Sequence, residues 1–201
     1  LSLSSFTQFV ELLNAYQNYL KNELVTFRGT PNKERGTIIA LVIRCNDGIS
    51  FNNELPNNDL LVVVEYVSED NFNIYTFNVT ADPKSKKANI AHLLEQVYTG
   101  NVRPHRWILG RLAICSDKGC WFRRTDTKGN DGDFTFDKIG INIHDTGGFW
   151  NSSLGCVILE NDDEYKNVFK PLLRRVINKN SIPVAVINQR YFKEELGIKE
   201  A

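Results

Sequence analysis

Apolar residues recur near the start of the chain as Phe6, Phe9, Leu13, Tyr16 and Leu20, the three-to-four spacing that lines one face of a helix. Ser5-Phe6-Thr7-Gln8 has the form of a capping box, which predicts where that helix begins. The aromatic stripe reads as a packing face. Residues 28–36 mix Gly, Pro, Asn and charge and read as a loop. From residue 37 the period shortens, predicting strands over 37–44, 60–67 and 73–79 between Asn/Asp-rich turns. Ile90, Leu93, Leu94, Val97 and Tyr98 return to helical spacing and predict a short amphipathic helix. Strand-like runs resume at 107–114, 121–124 and 139–144, with 129–133 as a flexible connector before the last. A second apolar stripe, Tyr165, Val168, Phe169, Leu172, Leu173, Val176 and Ile177, predicts a helix that Pro171 kinks or restarts. Residues 182–187 read as a final strand, and the charged tail from Lys193 as a frayed helix. The pattern predicts a β-rich α+β fold: an N-terminal helix and linker over 1–30, packed on a single domain over 31–201.

The 201 residues suffice for one substantial core, and 24 basic residues balance 24 acidic ones. A net charge of zero gives no global attraction to nucleic acid or to an anionic membrane. No stretch approaches the roughly 18 apolar residues that span a bilayer. The chain begins at Leu1 and contains no Met, as expected if residues upstream have been removed; a lost signal peptide is compatible with this but is not visible. Cys115 and Cys120 enclose the turn-like tetrapeptide Ser116-Asp117-Lys118-Gly119, which leaves two readings: a disulfide across a hairpin, or two free thiols. A disulfide would argue for an extracytoplasmic compartment. A zinc pair has less support, since no second closely spaced Cys/His pair is present.

Candidate chemistry gathers in residues 136–160. Alternation over 139–144 sends Ile139, Ile141 and Ile143 to one face and Gly140, Asn142 and His144 to the other. Cys156 opens the next apolar run and shares a face there with Ile158. Residues 145–155 join the two positions, so adjacent strands could bring imidazole and thiol together. A free thiol of pKa about 8.5 is mostly protonated at neutral pH, and a neighbouring imidazole can take its proton and create the nucleophile. Backbone N–H groups in the turn would stabilise an oxyanion, Gly155 would let a substrate approach them, and Ser153 could hydrogen-bond within the turn. The plainer reading is a buried cysteine and a core histidine, since both are common.

The segment from His144 through a Gly-containing loop to Ser153-Leu154-Gly155-Cys156-Val157 resembles the active-site segment of the L,D-transpeptidase (YkuD-like) family, a His, a variable loop, then Ser-x-Gly-Cys and an apolar residue. Gly140-Ile141-Asn142-Ile143-His144 and Asn78-Val79-Thr80-Ala81-Asp82-Pro83 are similar to segments of a divergent phage and bacterial branch, so the resemblance covers about residues 73–160. It implies an L,D-transpeptidase-like sandwich or barrel with peripheral helices, Cys156 as nucleophile, His144 as base, Gly155 and Cys156 at the oxyanion site, and Ser153 in support. The family's imidazole is oriented by a backbone carbonyl, so Asp145 is read first as a loop or capping residue. Implied too is acyl transfer on peptidoglycan stem peptides through a thioester, resolved by an amine or by water. Two departures stand out: Ile158 occupies the position of the usual Arg, and the His-to-Cys loop is short. Both lean the reading toward hydrolysis. No metal or organic cofactor is required, a monomer is expected, and the location implied is periplasmic, cell-wall associated or phage-derived.

The residues admit three other readings. Ile143-His144-Asp145-Thr146-Gly147-Gly148 superficially resembles the first ligand segment of zinc amidases, but His92 and His105 precede His144 and no histidine follows it. A non-catalytic module that binds peptidoglycan or protein remains the alternative. Nucleic-acid stacking on Trp107 and Trp121 is rejected on the zero net charge. Arg103 and Arg106, in Arg103-Pro104-His105-Arg106-Trp107, are either solvated strand ends or clamps for stem-peptide carboxylates. Asn142 and Trp150 are the further candidates for contacting substrate, Trp150 as a wall or lid or as a residue pinning the loop.

Overall fold

Alternation of inward and outward side chains closes eight strands into a barrel, seen in a computed structural model that describes residues 5–44, 59–68, 71–81, 89–105, 110–126, 130–138, 140–146 and 155–194. In chain order the elements are helix α1 (Phe6–Tyr19), a 3-10 turn (Asn22–Leu24), strands β1 (Ile38–Arg44), β2 (Asp59–Ser68), β3 (Asn71–Thr80), β4 (Ala91–Leu93), β5 (Gln96–Pro104), β6 (Leu112–Cys115), β7 (Cys120–Thr125), β8 (Asp131–Asp137), β9 (Asn142–Asp145) and β10 (Val157–Leu159). Then come the helical turn α2 (Asp162–Glu164), a π-helical turn (Tyr165–Phe169), helix α3 (Lys170–Arg175), strand β11 (Ile182–Asn188) and helix α4 (Gln189–Glu194). The barrel order is β1-β11-β5-β6-β9-β10-β3-β2, and β4-β7-β8 form a separate three-stranded sheet. Only two barrel pairings are parallel, β1 with β11 and β9 with β10.

The barrel interior is filled from every strand, by Ile38, Val42, Val63, Phe77, Tyr98, Ile114, Ile143, Val157 and Val184 among others. Its two ends are stoppered differently. At one, Phe169, Leu172, Leu173 and Val176 join the interior cluster, while Arg175 reaches Glu65 and Asn178 bonds the backbone of Ile38. At the other, Ala91, Leu93, Cys120 and Phe122 of the small sheet do so. Arg44 bonds the Leu93 carbonyl at 3.2 Å, and Gln96 bonds both the N–H and the carbonyl of Trp121. Outside, α1 lays Phe6, Phe9, Leu13 and Tyr16 over Ile39, Leu41, Val62, Val64 and Ile187. The Tyr16 hydroxyl donates to the buried Val186 carbonyl at 2.8 Å, and the capping box at Ser5 and Gln8 is formed.

Several local expectations are corrected. The helix expected over Ile90–Tyr98 is instead strands β4 and β5, because Ala91–Leu93 pair with β7 and the Gln96–Pro104 segment pairs with β11 and β6. The connector expected at 129–133 includes the start of β8, whose Phe134, Thr135 and Phe136 favour strand and pair with β7. The strand expected over 107–114 is described only as β6, following a turn at Gly110 with φ +80. Cys115 and Cys120 do not close a hairpin: β6 belongs to the barrel and β7 to the small sheet, and both thiols are free. The frayed helix expected from Lys193 begins earlier, at Gln189. Among the described residues no helix is long and apolar enough to cross a membrane.

The link between α3 and the barrel carries a pH signature. Burial would raise the Glu65 carboxyl, but hydrogen bonds from Arg175, Tyr75 and Asn73 outweigh it and hold the group down at about 2, against 4.5 when free. A depressed carboxylate contributes stability that is present above its unfolded pKa and is lost as pH falls through the folded one. Glu65→Gln is therefore expected to lower the denaturant midpoint at pH 7, with the gap to wild type closing between pH 4.5 and about 2. A gap independent of pH would remove this contribution.

Candidate active site

Strand β9 presents two faces. Ile141 and Ile143 belong to the interior cluster, whereas Asn142 and His144 alternate to the outer wall, where they are nonetheless covered, at 1% and 8% exposure. The expected facial division is seen for the described residues; Ile139 lies outside them. In the parallel β9–β10 register, Val157 stands opposite Ile143 and Ile158 opposite His144. Cys156 thus sits at the head of β10, two positions before the residue facing His144. Strand geometry makes that a Cα separation of about 8 Å, a span that a thiol and an imidazole can bridge.

The imidazole is held by the backbone. His144 Nδ1 lies 2.5 Å from the carbonyl oxygen of Asp145. A carbonyl can only accept, so Nδ1 carries a proton and the neutral ring keeps its lone pair on Nε2, the tautomer a general base needs. The carbonyl is itself anchored, because the Asp145 carboxylate pairs with Arg111 at 2.7 Å. Tyr165 adds to the fixation by bonding both the N–H and the carbonyl of neighbouring Leu112. Asp145 is thus more than a loop or capping residue, since it ends β9 and carries the orienting carbonyl.

The environment also separates the three described cysteines. Burial pushes Cys115 up to about 12 and Cys120 up to about 11, so both stay protonated at neutral pH. Cys156 is half-buried, and its Sγ lies 3.9 Å from the Gly140 carbonyl, a long sulfur contact. Both buried thiols lie within electrostatic reach of it. Only Cys156 among them combines solvent access with a position beside a histidine strand, the setting of a reactive thiol. Cys45 lies outside the described residues.

Gly155 is required on different grounds from those expected. Its φ is +140, and a Cβ there would fall 2.7 Å from the Ala91 Cβ and 2.9 Å from the Ala91 carbonyl. The close approach is to strand β4 and constrains the backbone next to Cys156. Arg103 sits on β5, separated from β9 by β6, and its guanidinium is engaged by Asp117 at 2.5 Å. Arg106, Trp150 and Ser153 lie outside the described residues.

One residue at the site was not anticipated. The His105 ring stacks on His144 with centroids 4.0 Å apart and planes at 22°, and its Nδ1 lies 2.8 Å from Asn142 Nδ2. The sequence places His105 in a basic cluster and far upstream of His144; its scarcity as one of three histidines was the available signal. Among the described residues no three His, Cys, Asp or Glu side chains are grouped to hold a metal ion.

Comparisons with family models, with curated proteins and with solved structures give no match to this chain.

The differing environments predict an order of reaction. A thiol reagent applied to the native protein is expected to label Cys156 well before Cys115 and Cys120, which should react only on unfolding. Peptide mass spectrometry reads this directly; equal labelling of all three would contradict the assignment.

Proposed function

We propose that this protein is a cysteine acyl-transfer enzyme of L,D-transpeptidase-like fold acting on peptidoglycan stem peptides. The observation that carries the reading is the His144 ring, fixed through Nδ1 to a backbone carbonyl on the strand beside Cys156. An imidazole oriented by a backbone carbonyl is what the family resemblance implies, and it needs no triad aspartate. The exclusion of Cys115 and Cys120 by burial adds to it.

In this mechanism His144 Nε2 takes the Cys156 proton, and the thiolate attacks a stem-peptide carbonyl carbon. The tetrahedral oxyanion collapses as the C–N bond breaks, and the departing amine receives the proton from His144. That leaves a thioester. Water or a second amine then attacks it, giving up a proton to His144, and the thiol is restored as the acyl group leaves. Ile158 in place of an arginine, together with the short loop, favours water as the acceptor.

Mass spectrometry of peptidoglycan incubated with wild-type protein and with Cys156→Ala tests the proposal. Thiol-dependent shortening of stem peptides is expected. New cross-links or exchanged terminal residues would make the protein a transpeptidase, and no change across diverse peptidoglycans would favour the binding module.

A further inference from the structure

Resting on the assignment of His144 as base, we propose that His105 is a positioning residue that holds the His144 ring and, by staying neutral, lets it accept the thiol proton. His105 follows β5, and its backbone N–H donates to the Arg111 carbonyl at 2.8 Å, which ties it to the residue that pairs with Asp145. Its ring is buried, at 9% exposure, and covers one face of His144 at a 4.0 Å centroid separation. The covering ring is held in turn by Asn142, which shares the outer face of β9 with His144 and meets His105 Nδ1 at 2.8 Å.

The Asn142 amide bears on the charge of His105, since either its N–H donates to Nδ1 or its oxygen accepts from it. When its N–H donates to His105 Nδ1, that nitrogen must be a bare acceptor, so His105 is neutral. The Asn142 carbonyl oxygen is buried without a hydrogen-bond partner, so the side chain is kept at the cost of one unmet polar atom.

The consequence falls on the proton-transfer step. As His144 takes the Cys156 proton it becomes a cation, and a neutral aromatic face against it is favourable, as in other cation–π contacts. A protonated His105 would place two cations face to face and expel the proton from His144. Activity therefore falls at low pH as His105 titrates. Among the described residues, β5 contributes Arg103, which is paired with Asp117 at 2.5 Å. On β9 the Asp145 carboxylate is paired with Arg111. From β6 the neighbour is Cys115, protonated through burial. The β10 side contributes Cys156 and Glu160, whose carboxyl is raised, first by burial and then by Glu164. The helical segment contributes Asp162, bonded by Thr146 at 3.0 Å, and Tyr165, its phenol raised to about 12 by burial.

The test is the rate of Cys156 alkylation by iodoacetamide from pH 5 to 9, followed by mass spectrometry on the full chain, in wild type, His144→Ala, His105→Ala and His105→Phe. His144→Ala should slow the reaction at neutral pH. His105→Ala should slow it about tenfold at pH 7, within the range of a desolvated cation–π contact. His105→Phe restores a ring that cannot titrate; it should recover the rate to within about threefold of wild type and shift the acid limb of the profile to lower pH. Should His105→Ala fail to fold by circular dichroism, the shifted acid limb of His105→Phe decides alone. Both His105 variants matching wild type in rate and pH profile, with His144→Ala still slow, would overturn the role of His105 and leave the base intact. Wild-type behaviour of His144→Ala would remove the base itself and this proposal with it.

Discussion

Two adjacent parallel strands cannot be joined by a tight hairpin; the chain must return to the end where it began. Here that constraint acts where β9 meets β10, with residues 146–156 carrying the chain from the end of one strand to the start of the other. A histidine on the first strand and a cysteine at the head of the second then come to lie on neighbouring strands. The register is fixed from inside, because Ile143 and Val157 are both committed to the barrel core. A one-residue slip would turn His144 and Asn142 into the interior and expose isoleucine and valine. The interior packing is thus what aims the polar wall.

The remaining architecture reinforces that wall from both sides. At the small-sheet end, Gly155 lies so close to Ala91 that no side chain fits, which fixes the entry of Cys156. At the helical end, Arg111, Tyr165 and the Asp145 carboxylate immobilise the carbonyl that holds His144. Asp145 and Tyr165 are polar and buried, a combination that costs desolvation and repays it in orientation. On the opposite outer wall α1 does the plainer work of covering apolar strands.

How much of this was legible in the sequence depended on how local each signal was. The capping box at Ser5, the first three strands and β11 carry their own periodicity or propensity and were readable. The β4–β5 segment was not, because Ile90, Leu93, Leu94, Val97 and Tyr98 satisfy helical spacing while their partners in β7 and β11 lie far along the chain. The same limit applied to the site. The candidate pair His144 and Cys156 was read from one continuous segment, whereas His105 comes beside His144 only through the barrel order β5-β6-β9. Likewise, the contact of Gly155 with Ala91 was not readable, because β4 lies far back along the chain.

The proposed chemistry requires Cys156 to form a covalent acyl intermediate with His144 as its base. Intact-protein mass spectrometry during rapid-quench incubation with a synthetic stem peptide tests it most directly. The expected result is a transient mass increase equal to the acyl portion of the peptide, located on Cys156, absent in Cys156→Ala and strongly slowed in His144→Ala. Turnover of the peptide with no such adduct, or with undiminished rate in Cys156→Ala, would contradict it.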